Sequence, residues 1–208
     1  MTYPVRSTLS RRALATAFMT FAAFVGSTLV TACGSDSTGP SSRPSAISDR
    51  ANDFIPSFTG TKGADLDVRD GESSYTGSGY VFSGTMNAKL GTTPGAVYVW
   101  GVDRGAGTPR FGDIATGVHF DAVVIGFPDG TGSVRDFVSG VATPLAAGSV
   151  VVTDRTMRVT VPAALLPTRG FSAANYTVAF WPRTGLASND QIADFAPDNG
   201  NAPLRMAQ

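Results

Sequence analysis

The stretch Ala96-Val97-Tyr98-Val99-Trp100-Gly101-Val102 decides the fold of this chain. It carries no charge and is rich in β-branched and aromatic side chains, which predicts a β-strand buried on both faces. A glycine-containing break over 91–95 precedes it, and a loop over 103–112 with Gly105, Gly107 and Pro109 follows it. Both flanks are typical of strand ends.

Other strand patterns lie at short spacing on both sides of this segment. Residues 65–69 and 80–86 alternate polar and apolar side chains, as half-buried strands do. Further strands are predicted within 118–125, 134–140, 149–153, 157–161 and 176–181. With 24 glycines and 13 prolines, turns are frequent, and no helical run separates the strands. The chain is predicted to be all-β, a single antiparallel β-sandwich of roughly eight strands.

The N-terminal segment has the three parts of a secretory signal. Arg6, Arg11 and Arg12 form a basic start, and a charge-free run over 13–32 ends in small residues. The alternative is an uncleaved anchor, because about 20 uncharged residues can span a membrane, but this run is only moderately apolar. Residues 10–14 also resemble a twin-arginine export signal. We predict that residues 1–32 are a signal peptide.

The end of this signal, Val30-Thr31-Ala32-Cys33, resembles the lipobox of bacterial lipoproteins. The resemblance implies that Cys33, the only cysteine, is acylated and becomes the mature N-terminus. Several acyl chains on one residue give effectively permanent membrane attachment. Gly34 in place of Asp implies the outer rather than the inner membrane of a cell envelope. Residues 33–52, rich in Ser, Gly and Pro, are predicted to be a linker, and 53–208 the β-sandwich domain.

Composition excludes several classes of function. Without residues 1–32, 13 basic residues face 16 acidic ones, since the signal removes three of the 16 basic residues. A chain with this charge balance lacks the excess of basic residues that is typical of nucleic-acid-binding proteins. The single histidine, His119, cannot build a usual zinc site, and no Gly-x-Ser-x-Gly elbow is present. No catalytic residue is predicted, and the chain is not expected to be an enzyme.

Three segments together resemble extracellular β-sandwiches of the family-9 carbohydrate-binding-module and DOMON-like kind. They are Trp100-Gly101-Val102-Asp103 before the glycine-rich loop, residues 159–167, and residues 192–198. The resemblance spans about residues 60–200 and implies a domain that binds sugars, haem or calcium, or that is purely structural. It assigns no functional residue.

Two kinds of ligand site are compatible with the residues. Exposed rings of Trp100 and Trp181 could stack on sugars, although large aromatic side chains usually fill the core. A structural calcium ion is the cofactor that the sequence allows, because calcium binds carboxylate and backbone oxygens. Its candidate ligands are Asp103, Asp190, Asp194 and Asp198.

These observations predict a lipid-anchored lipoprotein of the cell envelope. Its β-sandwich is expected to be a non-catalytic structural or interaction module, with a glycan or an envelope protein as partner and no nucleic acid. The first alternative is a carbohydrate-binding module that uses exposed tryptophan or tyrosine. The second is a secreted hydrolase that uses a pair of aspartates.

Overall fold

The described part of the protein is all-β. The computed structural model describes residues 47–206, so the predicted signal peptide and the predicted lipid anchor at Cys33 lie outside the described residues. Within 47–206 there is no α-helix, and no helix is long and apolar enough to cross a membrane. Two large sheets pack on each other, which confirms the predicted β-sandwich.

Fourteen strand segments build the sheets. They are β1 (Ile47–Ser48), β2 (Val68–Tyr75), β3 (Gly79–Met86), β4 (Val97–Asp103), β5 (Thr108–Pro109), β6 (His119–Phe120), β7 (Ala122–Gly126), β8 (Gly132–Asp136), β9 (Ala142–Pro144), β10 (Val150–Thr153), β11 (Thr156–Pro162), β12 (Thr177–Arg183), β13 (Ala202–Pro203) and β14 (Arg205–Met206). Short 3-10 turns lie at Ala64–Leu66, Ala163–Leu165, Ala173–Asn175 and Asn189–Gln191.

The strands form two six-stranded sheets and one small ribbon. The first sheet has the order β1-β2-β3-β11-β10, with β14 paired to β2, and the second has the order β13-β12-β4-β7-β8-β9. All pairs in these sheets are antiparallel except β14 with β2, and the ribbon joins β5 to β6. In β11 the alternation is complete, because Met157, Val159 and Val161 are buried between exposed or half-buried neighbours.

The main core lies between the two large sheets. Alternate side chains of β4, namely Tyr98, Trp100 and Val102, belong to it. The Trp100 ring stacks on Phe180 of β12, with ring centroids 4.6 Å apart, and tilts against Phe82 of β3 at 6.3 Å. These contacts join both sheets through one aromatic cluster.

A second core covers the outer face of the second sheet. Val97 and Val99 of β4 pack there with Trp181, under loop residues from 111–118 and 192–195. A Cβ atom on Gly101 would lie 2.7 Å from the Trp181 ring, so the close packing of that ring requires glycine. Every residue of β4 is buried, and the prediction of a strand buried on both faces is confirmed.

The sandwich includes a strand ahead of the predicted domain start at residue 53. Ile47 in β1 is buried, pairs with Gly71 of β2, and packs 3.1 Å from where a Cβ of Gly71 would lie. It is the only large apolar residue within 34–52. Because it is buried and paired with β2, the end of the predicted linker forms part of the first sheet. Residues 192–198 also bond to the sandwich, through bridges of Phe180 with Ala196 and of Arg183 with Ile192.

Candidate functional site

Three carboxylates meet where the linker enters the sandwich. Asp49 follows β1, Asp53 lies in the next turn, and Asp194 lies between the two bridges to β12. One carboxylate oxygen of each lies within 4.8 Å of those of the other two. We call these residues the acid cluster.

The acid cluster is partly dehydrated and incompletely hydrogen-bonded. Asp194 is 1% exposed, and its two oxygens accept 2.8 Å hydrogen bonds from the N–H groups of Val68 and Phe195. Oδ2 of Asp49 and Oδ1 of Asp53 are buried atoms without a hydrogen-bond partner. Burial, reinforced by the neighbouring carboxylates, raises the pKa of Asp194 to about 8 and that of Asp49 to about 7. The cluster therefore favours a bound proton or a bound cation over free negative charge.

The oxygen-only composition of the acid cluster suits calcium. Of the four predicted ligands, Asp194 lies in the cluster, and Asp198 is near enough to raise the pKa of Asp49. Asp103 lies elsewhere, with its Oδ1 accepting from the N–H groups of Gly105 and Gly107. Asp190 also lies outside the cluster, where its carboxylate accepts from Thr59. The cluster thus unites one predicted ligand with Asp49, near the end of the predicted linker, and Asp53, the first residue of the predicted domain.

The stability of the protein is expected to fall as pH rises from about 4 to about 8 in the presence of a chelator. Between the unfolded pKa near 3.8 and the raised folded pKa values, the folded state binds more protons than the unfolded state. The free energy of unfolding therefore decreases with pH across that window. Urea denaturation at pH 5 and pH 8 measures the difference, and Asp194→Asn should reduce it.

The control for this experiment is Asp113→Asn, which removes a carboxylate from an exposed loop position and should keep the wild-type difference. Calcium at about 1 mM, within the affinity range of extracellular sites, should stabilise the wild type more at pH 8 than at pH 5, because it competes with protons. A calcium effect equal in the wild type and in Asp194→Asn would contradict a metal centre at this cluster.

A buried ion network lies at the end of β4 that is followed by the glycine-rich loop. Arg104 donates through Nε to Asp121 (2.5 Å) and through Nη1 to Asp136 (3.1 Å). Arg169 pairs with Asp136 at 3.0 Å. Burial alone would raise the pKa of Asp136. The hydrogen bonds from Arg104 and Arg169 outweigh this effect and hold the pKa below its usual value. These charges neutralise one another, so the network fixes the loop and offers nothing to a ligand.

A pocket of about 380 Å³ opens on the outer face of the second sheet. Arg110, Arg135 and Arg183 line it together with Phe111, Phe120, Phe137 and Trp181, and no acidic residue lines it. Apolar side chains of β4 and β7 form part of its lining, with Leu186 and Asn189 from the loop after β12. We call this the outer pocket. Its volume lies at the lower end of the range of small-molecule sites, about 300–1,000 Å³.

The arginines of the outer pocket have no carboxylate partner. Among the described residues, none of Arg110, Arg135 and Arg183 forms a salt bridge with a carboxylate. Arg183 is 7% exposed, and its Nε and Nη2 donate to the backbone carbonyls of Gly185 and Ser188. Burial lowers the pKa of Arg183. A buried guanidinium without a salt bridge is unusual in proteins, which makes the outer pocket a candidate binding site.

Both tryptophans fill cores. Trp100 is 0% exposed and Trp181 is 1% exposed, so neither ring offers the open face that sugar stacking would use. The reason is that the first sheet packs on Trp100 from one face of the second sheet, and loops pack on Trp181 from the other. Trp181 nonetheless belongs to the lining of the outer pocket.

Sequence reasoning missed the outer pocket. Its arginines come from the loop after β5, from β8 and from the end of β12, and only the folded sheet brings them together. No family model matches the chain, and no curated protein or solved structure matches it either. The assignment of function therefore depends on the chemistry of the described sites.

Proposed function

We propose that this protein is a lipid-anchored module of the cell envelope whose β-sandwich binds a partner without performing chemistry. The observation that carries the binding role is Arg183, a nine-tenths buried cation without an ion-pair partner in the described part of the chain, at an open pocket. The resemblance to family-9 carbohydrate-binding-module and DOMON-like sandwiches supports a binding role over a catalytic one. The anchor rests on the lipobox of the sequence.

The two alternatives have less support. The sugar-binding alternative depends on an exposed tryptophan or tyrosine ring. Trp100 and Trp181 are buried, and so are Tyr80, Tyr98 and Tyr176, while Tyr75 is half-buried. A hydrolase needs two carboxylates that a substrate can reach. In the acid cluster, backbone N–H groups occupy both oxygens of the buried Asp194.

A thermal-shift screen of calcium, haem, soluble glycans and small organic acids tests the binding role. A ligand at ten times its dissociation constant adds about 1.4 kcal/mol, which is roughly 3–6 °C for a domain of this size. We expect at least one ligand to shift the wild type but not Arg135→Glu, which reverses a charge at an exposed position of the pocket. A calcium shift is expected in both proteins, because calcium is expected at the acid cluster. If all the other shifts are unaffected by Arg135→Glu, binding lies elsewhere and this role of the pocket is contradicted.

Cys33→Ser is expected to release the protein from the membrane fraction and to abolish labelling with fatty acid. The reason is that the thiol of Cys33 is the only one in the chain that a diacylglycerol could modify. Ser35→Ala, two residues further on, keeps the cysteine and should behave as the wild type. Continued membrane association of Cys33→Ser would favour the uncleaved anchor and would exclude the lipoprotein assignment.

A further inference from the structure

We propose that the outer pocket binds a small organic carboxylate with a flat, apolar body. This inference rests on the proposed binding function, because it names the ligand class of the same pocket. It follows from the charge, the hydrogen-bond donors and the aromatic walls of the pocket.

The pocket carries uncompensated positive charge. Three of its lining residues are arginines and none is an acid. The two carbonyl groups that bond to Arg183 are neutral. Asp190 is exposed, and its negative charge raises the pKa of Arg183 by less than burial lowers it. A ligand anion would supply the missing counter-charge, and a guanidinium binds a planar carboxylate through two parallel hydrogen bonds.

The pocket also has donors without acceptors. Nε–H of Arg110 and Nε1–H of Trp181 are buried and have no hydrogen-bond partner. Both residues line the pocket, and each unpaired buried donor is destabilising. The site therefore favours a ligand that accepts hydrogen bonds without bringing donors of its own. A deprotonated carboxylate meets that requirement, whereas a neutral sugar brings a donor with every hydroxyl group.

Aromatic rings set the shape of the ligand. The rings of Phe120 and Phe111 lie 5.3 Å from that of Trp181. The Arg110 guanidinium lies over both Phe120 and Phe137, at 5.1 and 5.3 Å from the ring centroids, and that of Arg135 lies 5.4 Å from Phe137. Trp181 and Phe120 are buried, whereas Phe137 is 38% exposed and Phe111 is half-buried, so the last two rings leave apolar surface at the pocket. That surface matches a planar apolar group, which a compact inorganic anion lacks.

Phenylacetate is a suitable probe, because it combines one carboxylate with one ring. The full chain exported with Cys33→Ser avoids competition from the acyl chains. Titration is followed by the indole N–H signals in a ¹H–¹⁵N spectrum. We expect phenylacetate to shift the Trp181 signal in a saturable manner and to leave that of Trp100 in place, because Trp100 lies in the other core.

Matched ligands and variants test each part of the proposal. Phenylacetamide, which lacks the charge, and acetate, which lacks the ring, should both bind more weakly by about tenfold or more. Arg110→Gln and Arg135→Gln should weaken phenylacetate binding to a similar extent, while Arg158→Gln, at an exposed position of the first sheet, should not. Arg135 is exposed, so its variant is expected to fold even if the others do not.

The remaining outcomes separate this inference from the proposed function. If phenylacetate leaves the Trp181 signal unchanged while a glycan or inorganic phosphate shifts it, the ligand class is wrong and the binding function stands. A shift with vesicles of anionic lipid but not with phenylacetate would likewise overturn the carboxylate in favour of a membrane surface. If no probe shifts the Trp181 signal, both the inference and the binding role of the outer pocket are wrong.

Discussion

Arg104→Met is expected to lower the free energy of unfolding by about 3–5 kcal/mol, the usual cost of removing one partner of a buried ion pair. Arg104 is fully buried, and the two acids that it contacts, Asp121 and Asp136, are only 2% and 7% exposed. Methionine fills much of the space of the side chain but supplies no charge and no donor. Urea denaturation of the full chain measures the loss.

The reason for this large effect is the charge that the substitution leaves behind. In the variant, Asp121 keeps only the N–H groups of residues 104 and 106 as donors, and Asp136 keeps Arg169 and the N–H groups of Val138 and Ser139. If the uncompensated charge is the cause, Arg104→Met combined with Asp121→Asn should be more stable than Arg104→Met alone.

The control is Arg158→Met, since Arg158 is exposed on the first sheet. Its effect should stay within about 0.5 kcal/mol, as is usual for surface positions. If Arg104→Met lowers the free energy of unfolding by no more than Arg158→Met does, the buried network contributes no stability.

The strands and the fold class could be predicted from the sequence because they depend on local pattern. The uncharged residues of β4 and the alternation of β11 each identify a strand and the faces that it buries. The extra short strands, such as β1 and β13, have only two residues each. Segments of that length carry no periodicity, and only pairing with a longer neighbour defines them.

The candidate sites could not be predicted, because their members are distant in sequence. The arginines of the outer pocket lie at positions 110, 135 and 183, and this spacing corresponds to no motif. In the acid cluster, Asp194 was among the predicted calcium ligands. Its partners Asp49 and Asp53 lie on either side of the predicted boundary between linker and domain, where an aspartate is usually a turn residue.

Trp100→Ala is expected to lower the free energy of unfolding by about 3–5 kcal/mol, as for other large-to-small changes in a core. The Trp100 ring lies between the two sheets against Phe180 and Phe82, so its removal would leave a cavity in the main core. Trp100→Phe should cost less than Trp100→Ala, because the indole Nε1–H has no hydrogen-bond partner to lose.

Phe171→Ala is the control for Trp100→Ala, since Phe171 is 42% exposed and its removal should change stability by about 0.5 kcal/mol or less. The comparison decides between two roles for the tryptophan. A core ring is worth several kcal/mol to folding, whereas a ring exposed for sugar stacking contributes to binding and little to stability. A near-neutral Trp100→Ala would therefore restore the carbohydrate-binding alternative, and a large loss leaves the outer pocket as the binding face.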